Sequence, residues 1–361
     1  MLQPISLSGP TLVAVGAALF AATNAFSTAF FRRGGSIITL YLTRGVIVYL
    51  ANGVVVLSSS GCTAAVNTLL LRTGRCDSLA LSFLRALIGA QMAFGLNIAL
   101  VFLTFADAFT IFKGVDTMST VILTKVLLDS HENLSIRELA CGLLTLAGII
   151  LIAQPPLVFG ARPETAAAAL HVTAATLAIA AGTGVLSAGF TLFTRILSRE
   201  GGVHRPHLPP TLLLSHQQVV YTVFFALMAA GGAALGLSAR DGWEWLCFIA
   251  PHDATDWLLI GGHCVGVLTA QLALAAGYAT TRAGIGAFLQ LTELAWVWAM
   301  DVFLLGEPTS ALASAGSAIV FGSAFLVLRL ASTHAQVSAD GGARDGAPGQ
   351  KHGPQGAITL Q

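Results

Sequence analysis

Apolar runs of about twenty residues, each long enough to cross a bilayer as a helix, recur along this chain and are parted by short polar turns. Their boundaries predict spans at 10–31, 37–57, 80–104, 107–128 and 136–154 in the first half. The second half gives 168–193, 211–237, 256–278, 283–305 and 310–330. None shows the strict alternation of a half-buried strand, so the expected fold class is all-α, an integral membrane protein of ten transmembrane helices.

The pattern also repeats itself. A long apolar helix, a short acidic turn and a glycine-bearing apolar helix occur first from Val121 through Asp129, Glu132 and Ser135 into Gly142 and Gly148. They occur again from Trp296 through Gly306, Glu307 and Ser310 into Gly316 and Gly322. A duplicated module of this size is the mark of a transporter built from two halves. Five spans per half is an odd number, so the second half enters the membrane upside down and the repeats are inverted. The resulting organisation is a short cytosolic N-terminus (1–9), a first repeat (10–156), a linker (157–167), a second repeat (168–331) and a disordered cytosolic tail (332–361). Gln154-Pro155-Pro156 stops the last helix of the first repeat.

Composition supports this reading. Charged residues are 10% of the chain and apolar residues 55%, against about 25% charged in soluble domains. Mean hydropathy is +0.79, too high for a soluble exterior. The lipid bilayer is therefore an obligatory partner. A net charge of +1 gives no reason to expect nucleic acid. The basic residues set orientation: with both termini in the cytosol, inner loops and tail collect Arg72, Arg75, Arg137, Arg195, Arg199, Arg205, Arg282, Arg329, Arg344 and Lys351. Outer loops then hold Arg32, Arg33, Arg162 and Arg240, with Arg32-Arg33 a local exception. Which membrane is involved, plasma membrane or endomembrane, is left open by the sequence.

With the pattern in place, particular stretches resemble a known family. The duplicated unit is similar to the EamA-type modules of the drug/metabolite transporter superfamily, and within it to solute carrier family 35, subgroup G. Ala106 to Ile111 and on through Leu128 resembles that subgroup's fourth helix, and Ile149 to Gly160 its fifth-helix exit. Phe303-Leu304-Leu305-Gly306-Glu307 matches the family's acidic turn. The first acidic turn departs from the pattern by about three extra residues, so Asp129 and Glu132 both compete for its acidic position. The resemblance implies a transporter of nucleotide sugars, phosphorylated sugars, amino acids or other metabolites. It also implies peripheral fifth and tenth helices, through which a homodimer is the expected protein partner.

Ionisable and polar residues at bilayer depth are the candidate chemistry, because each is costly there unless it is paired or faces a cavity. Lys113 and Asp116 share a helix face at i,i+3, and Arg44 lies at similar depth in span two. These three form either a buried ion pair fixing helix register or the polar wall of a central cavity, where a net-basic cluster suits an anionic substrate. Glu293 sits mid-span with Gln290 and Trp296 three residues to either side. Its carboxyl pairs across to Lys113 or Arg44, binds a cationic group, or is protonated by burial. Asn24 and Gln271 either hydrogen-bond between helices or line the cavity. Arg85 and Lys125 are expected to snorkel to headgroups.

No cofactor, metal site or catalytic constellation is expected. The five cysteines have no CxxC spacing, His204-x-x-His207 lacks further ligands, and there is no GxSxG, Walker A or GxGxxG motif. The resulting expectation is a non-enzymatic multi-pass transporter. A small polar metabolite binds near mid-membrane in a cavity lined by spans one to four and six to nine, and moves by alternating access. Without an ATP-binding module, transport is facilitative, exchange or ion-coupled. The alternative is a membrane scaffold or regulator that acts through the tail or the loop 58–79.

Overall fold

Short polar residues placed just before several of the apolar runs start their helices. Ser8 accepts a hydrogen bond from the Thr11 amide and opens α1 (Gly9–Arg32), with Pro10 preset for a first turn. Ser36 does the same through Thr39 for α2 (Ile37–Ser60). Between them Gly34 takes φ +86°, a conformation that glycine adopts without a Cβ penalty. The chain is seen in a computed structural model, which describes residues 8–69, 76–102, 105–127, 135–154, 174–198, 208–237, 247–304 and 310–344. The remaining helices are α3 (Cys62–Leu69), α4 (Cys76–Phe102), α5 (Phe105–Leu127), α6 (Ile136–Ala153), α7 (Ala174–Ser198), α8 (Pro210–Ala234), α9 (Ala254–Thr280), α10 (Ala283–Gln290), α11 (Thr292–Leu304) and α12 (Ala311–Arg344). The expected acidic turns at 129–134 and 306–309, the linker 157–167 and the His204/His207 loop lie outside the described residues.

Eight of these segments are long and apolar enough to cross a membrane: α1, α2, α4, α7, α8, α9, the α10–α11 pair taken together and α12. Their outward faces carry large apolar side chains such as Val54, Leu227 and Leu258, and only lipid can accommodate so many. The protein is an all-α, integral, multi-pass membrane protein. Two of the ten expected spans, α5 and α6, form helices in the same bundle without being among the eight. Of these, α5 carries Asp107, Lys113, Asp116 and Lys125, an ionisable load that lowers its mean hydropathy.

The expected ninth span, 283–305, is broken. Its two parts, α10 and α11, meet at Leu291, whose amide turns back to Phe288 in a tighter turn than an α-helix makes. This segment is also the most central, with 67% of its best window buried against 33–50% for the other seven. At the far end, α12 continues to Arg344, so part of the stretch expected as a disordered tail is helical.

Helix packing pairs α1 with α9, α4 with α7, α5 with α7, and α2 with α8. The α10–α11 segment packs on α1, and α6 on α12. Glu138 ties α6 to the start of α10, closing a capping box with Ser135 and accepting a hydrogen bond from Arg282. At the opposite end Arg33 pairs with Asp253 and Asp256 at 2.7 and 2.8 Å. These carboxylates raise the Arg33 pKa, first through the Asp256 hydrogen bond. They also neutralise locally the basic residue that breaks the orientation pattern.

The duplicated glycines do unequal work. Gly148 and Gly316 face each other across the α6–α12 contact, where a Cβ on Gly148 would stand 2.8 Å from the Gly316 carbonyl oxygen. Gly142 is covered by the Phe288 ring, while Gly322 has open space around it. Gly148→Val is therefore expected to cost about 1–3 kcal/mol, since backbone cannot move aside as a side chain can. Gly322→Val is expected to leave the detergent melting temperature almost unchanged. Equal shifts for the two variants would remove this glycine contact from the account.

Candidate functional site

The helices around the break enclose a cavity of about 180 Å³. Its lining comes from α1, α2, α4, α5, α7, α8, α9, α10 and α11, which are the expected spans one to four and six to nine. Among the described residues, α6 and α12 contribute nothing to it.

One part of the wall is an ion pair. Lys113 Nζ lies 2.8 Å from Glu293 Oε2, and Asn24 Nδ2 donates to Glu293 Oε1 at 2.7 Å. Lys113 and Glu293 are 6% and 7% exposed, so both charges have left water and each depends on the other. Of the three roles open to Glu293, the structure gives it the first, pairing across to Lys113. Asp116, 2% exposed, lies beyond the lining near Lys113 and Ser187, and its Oδ1 has no hydrogen-bond partner.

Another part of the wall is a cation that no carboxylate joins among the described residues. Arg44 is 5% exposed, and its guanidinium lies over the rings of Tyr41 and Tyr221 at 5.2 and 4.9 Å. Among the described residues no carboxylate comes within 4.0 Å of it, and its Nε has no partner. The expected Arg44/Asp116/Lys113 cluster is thus divided. Lys113 goes to Glu293, and Arg44 goes to two tyrosine faces, a cation–π arrangement that leaves its charge uncancelled.

Gln271 and Gln290 line the cavity, as do Asn24, Arg44, Lys113 and Glu293. Trp296 does not; it is 38% exposed, with its ring edge-on to Phe321 at 5.0 Å. Each i,i+3 step rotates a side chain by about 60° from the last, so two steps from Gln290 to Trp296 carry it round to the outer face.

Sequence reasoning passes over several lining residues. His263 is 4% exposed and its Nδ1 lies 3.3 Å from the Thr23 carbonyl oxygen, to which it donates. It stands two helical turns before Gln271, with Val267 and Leu274 on the same lining face, so helix spacing from Gln271 is the signal that could have found it. Tyr41 and Tyr221 are legible only through packing, because nothing local marks an aromatic residue as a cation platform.

The buried positions also correct one expectation outright. Lys125 is exposed, but Arg85 does not snorkel: it is 1% exposed, in the interior between α4, α7 and α8.

Fold and site together define a multi-pass helical membrane protein with a small central cavity whose lining is mostly apolar and whose wall carries the charged residues Arg44, Lys113 and Glu293. No family model and no curated protein matches the chain. Solved structures do match. One, described only as a crystal structure of a protein, superposes with a TM-score of 0.63 at 18% identity, over 90% of this chain and 99% of its own. That likeness extends to the fold alone.

Proposed function

We propose that this protein is an alternating-access transporter for a small polar anion, built from two inverted five-helix halves of the EamA type and similar to solute carrier family 35, subgroup G. The observation that carries the reading is Arg44, a buried guanidinium on a cavity wall with no carboxylate to balance it among the described residues. A buried cation of this kind is costly, and an anion that binds intermittently supplies the missing charge.

Three further observations support it. The cavity, at about 180 Å³, falls below the roughly 300–1,000 Å³ of drug-sized sites, which favours a small metabolite over a nucleotide-sized one. A broken helix beside Gln290 and Glu293 is the form that transporter sites at mid-membrane take. Helix pairing also has the symmetry two halves would give. If α5 and α6 complete ten spans, exchanging each span with the one five later turns the α1–α9 pair into the α4–α7 pair and leaves α2–α8 and α6–α12 in place.

Flux into proteoliposomes tests the reading, using short-chain carboxylates and sugar phosphates with their neutral analogues at matched size. Saturable uptake of at least one anion, inhibited by other anions and not by the neutral analogues, is the expected outcome. Absence of flux for every compound in detergent-stable, correctly inserted protein would overturn it.

A further inference from the structure

Arg85 is a second buried cation without a carboxylate counter-ion among the described residues. Its Nε donates to Thr194 Oγ1 at 2.6 Å, and its terminal nitrogens reach the Leu213 carbonyl and Gln217 Oε1 at 3.4 Å each. All three acceptors are neutral, and among the described residues no carboxylate lies within 4.0 Å. These bonds use three of the five N–H groups of a guanidinium. Neutral acceptors hold the group in place without cancelling its charge, so as a purely structural element Arg85 is a poor solution at this depth.

Its position relative to the cavity suggests why it is there. Ala93, a lining residue on α4, is eight residues further on, about 12 Å along the helix. One turn of α4 above Arg85, Gly89 sits against the Phe190 ring and the Tyr221 hydroxyl, close enough that a Cβ would meet both at 2.9 Å. Phe190 and Tyr221 line the cavity. Arg85 lies under Phe190, 4.2 Å from its centroid, while Arg44 lies against Tyr221. Two unbalanced guanidinium groups therefore flank one aromatic layer, Arg44 on the cavity side and Arg85 beyond it. Beyond Arg85 the bundle runs on to the end where α4 begins and α7 finishes.

We propose that Arg85 is a second binding station for the same anion, and that the Phe190 and Tyr221 rings are the barrier the anion passes between the two arginines. This rests on the anion-transport reading of the cavity. In the arrangement seen here the layer is closed and Arg85 is held by neutral acceptors. When the halves rock, the rings part and the anion exchanges Arg44 for the unused N–H groups of Arg85, so that a cation faces it on both sides of the barrier.

Thiol accessibility tests this without knowing the substrate. In a background with the five native cysteines replaced, Thr194→Cys places a thiol beside Arg85 and Asn97→Cys places one on the cavity wall. Permeabilised membranes are treated with the anionic 2-sulfonatoethyl methanethiosulfonate and its cationic trimethylammonium counterpart. Any effect of Arg85 on thiol ionisation cancels in the ratio of the two rates. The expected result is that Thr194→Cys reacts at least about ten-fold faster with the anionic reagent, as one nearby positive charge dictates in a partly hydrated path. Adding Arg85→Gln is expected to bring the ratio near one, and Arg85→Lys to keep it high. If Thr194→Cys is inert to the anionic reagent while Asn97→Cys reacts, or if the ratio survives Arg85→Gln, the second station is overturned and the cavity reading stands. If Asn97→Cys itself shows no preference for the anionic reagent, the anion reading falls and this proposal with it. Should Arg85→Gln fail to reach the membrane, Arg85→Met takes its place, and the same ratio decides: near one upholds the second station, unchanged overturns it.

Discussion

Lys113→Met is expected to destabilise the purified protein far more than Glu293→Gln does. Removing the ammonium leaves a carboxylate 7% exposed with Asn24 as its remaining partner among the described residues. Stranding one member of a buried pair in this way costs about 3–5 kcal/mol. The reverse change is milder for two reasons. Glutamine keeps an acceptor for Lys113, and Asn24 can turn its amide to accept from the new Nε2. Asp116 also lies close to Lys113 with a free Oδ1, so the ammonium finds a second carboxylate by a small rotation. The double change Lys113→Met with Glu293→Gln should recover most of the loss, because the charge that was stranded is gone. Thermal unfolding of all three variants in one detergent makes the comparison. Equal losses for the two single variants would show that Asp116 gives Lys113 no refuge, and an additive double variant would show that the pair is not coupled.

Much of this arrangement is legible in the sequence, and the limits have physical causes. Helix existence and depth follow from the period and length of apolar runs, which place Lys113, Asp116 and Glu293 at mid-span without further information. The partner of each charge does not follow in this way, because pairing depends on which helix faces meet. Lys113, on α5, pairs with Glu293 on α11 rather than with Asp116 on its own helix. Arg85 shows the same limit from the other side. Nearness to a span end suggests snorkelling, yet α7 and α8 close over it and supply Thr194, Leu213 and Gln217 as acceptors. The break at Leu291 is not marked by glycine or proline, since Gln290-Leu291-Thr292 contains neither; its local cause is the Thr292 hydroxyl, which donates to the Leu289 carbonyl oxygen at 2.7 Å and competes with the helical ladder there. Trp296 misses the cavity for a geometric reason, since i,i+3 adjacency holds for neighbours and drifts over two steps.

Arg44→Met should make the ligand-free protein more stable and, on the proposed anion-transport reading, weaken anion uptake, a pairing that separates a binding residue from a structural one. In the protein as it stands, two tyrosine faces are what the guanidinium has, each contributing about 0.5–2 kcal/mol depending on desolvation. Against that stands the cost of burying a cation with no carboxylate near it among the described residues; even buried ion pairs, which have a partner, are often replaced by apolar groups with no loss or a gain of about 1–4 kcal/mol. Methionine also fills much of the same volume and packs on aromatic edges, so no large void offsets the gain. Anion affinity should move the other way, falling roughly 10- to 100-fold with the loss of charge-assisted hydrogen bonds worth about 1.5–3 kcal/mol. Arg44→Lys divides the two effects: it keeps the charge, loses the planar stacking on Tyr41 and Tyr221, and should retain weakened uptake with no gain in stability. A melting temperature that falls in Arg44→Met would mean the arginine is a structural brace after all. Unchanged anion uptake in the same variant would place the substrate elsewhere in the bundle.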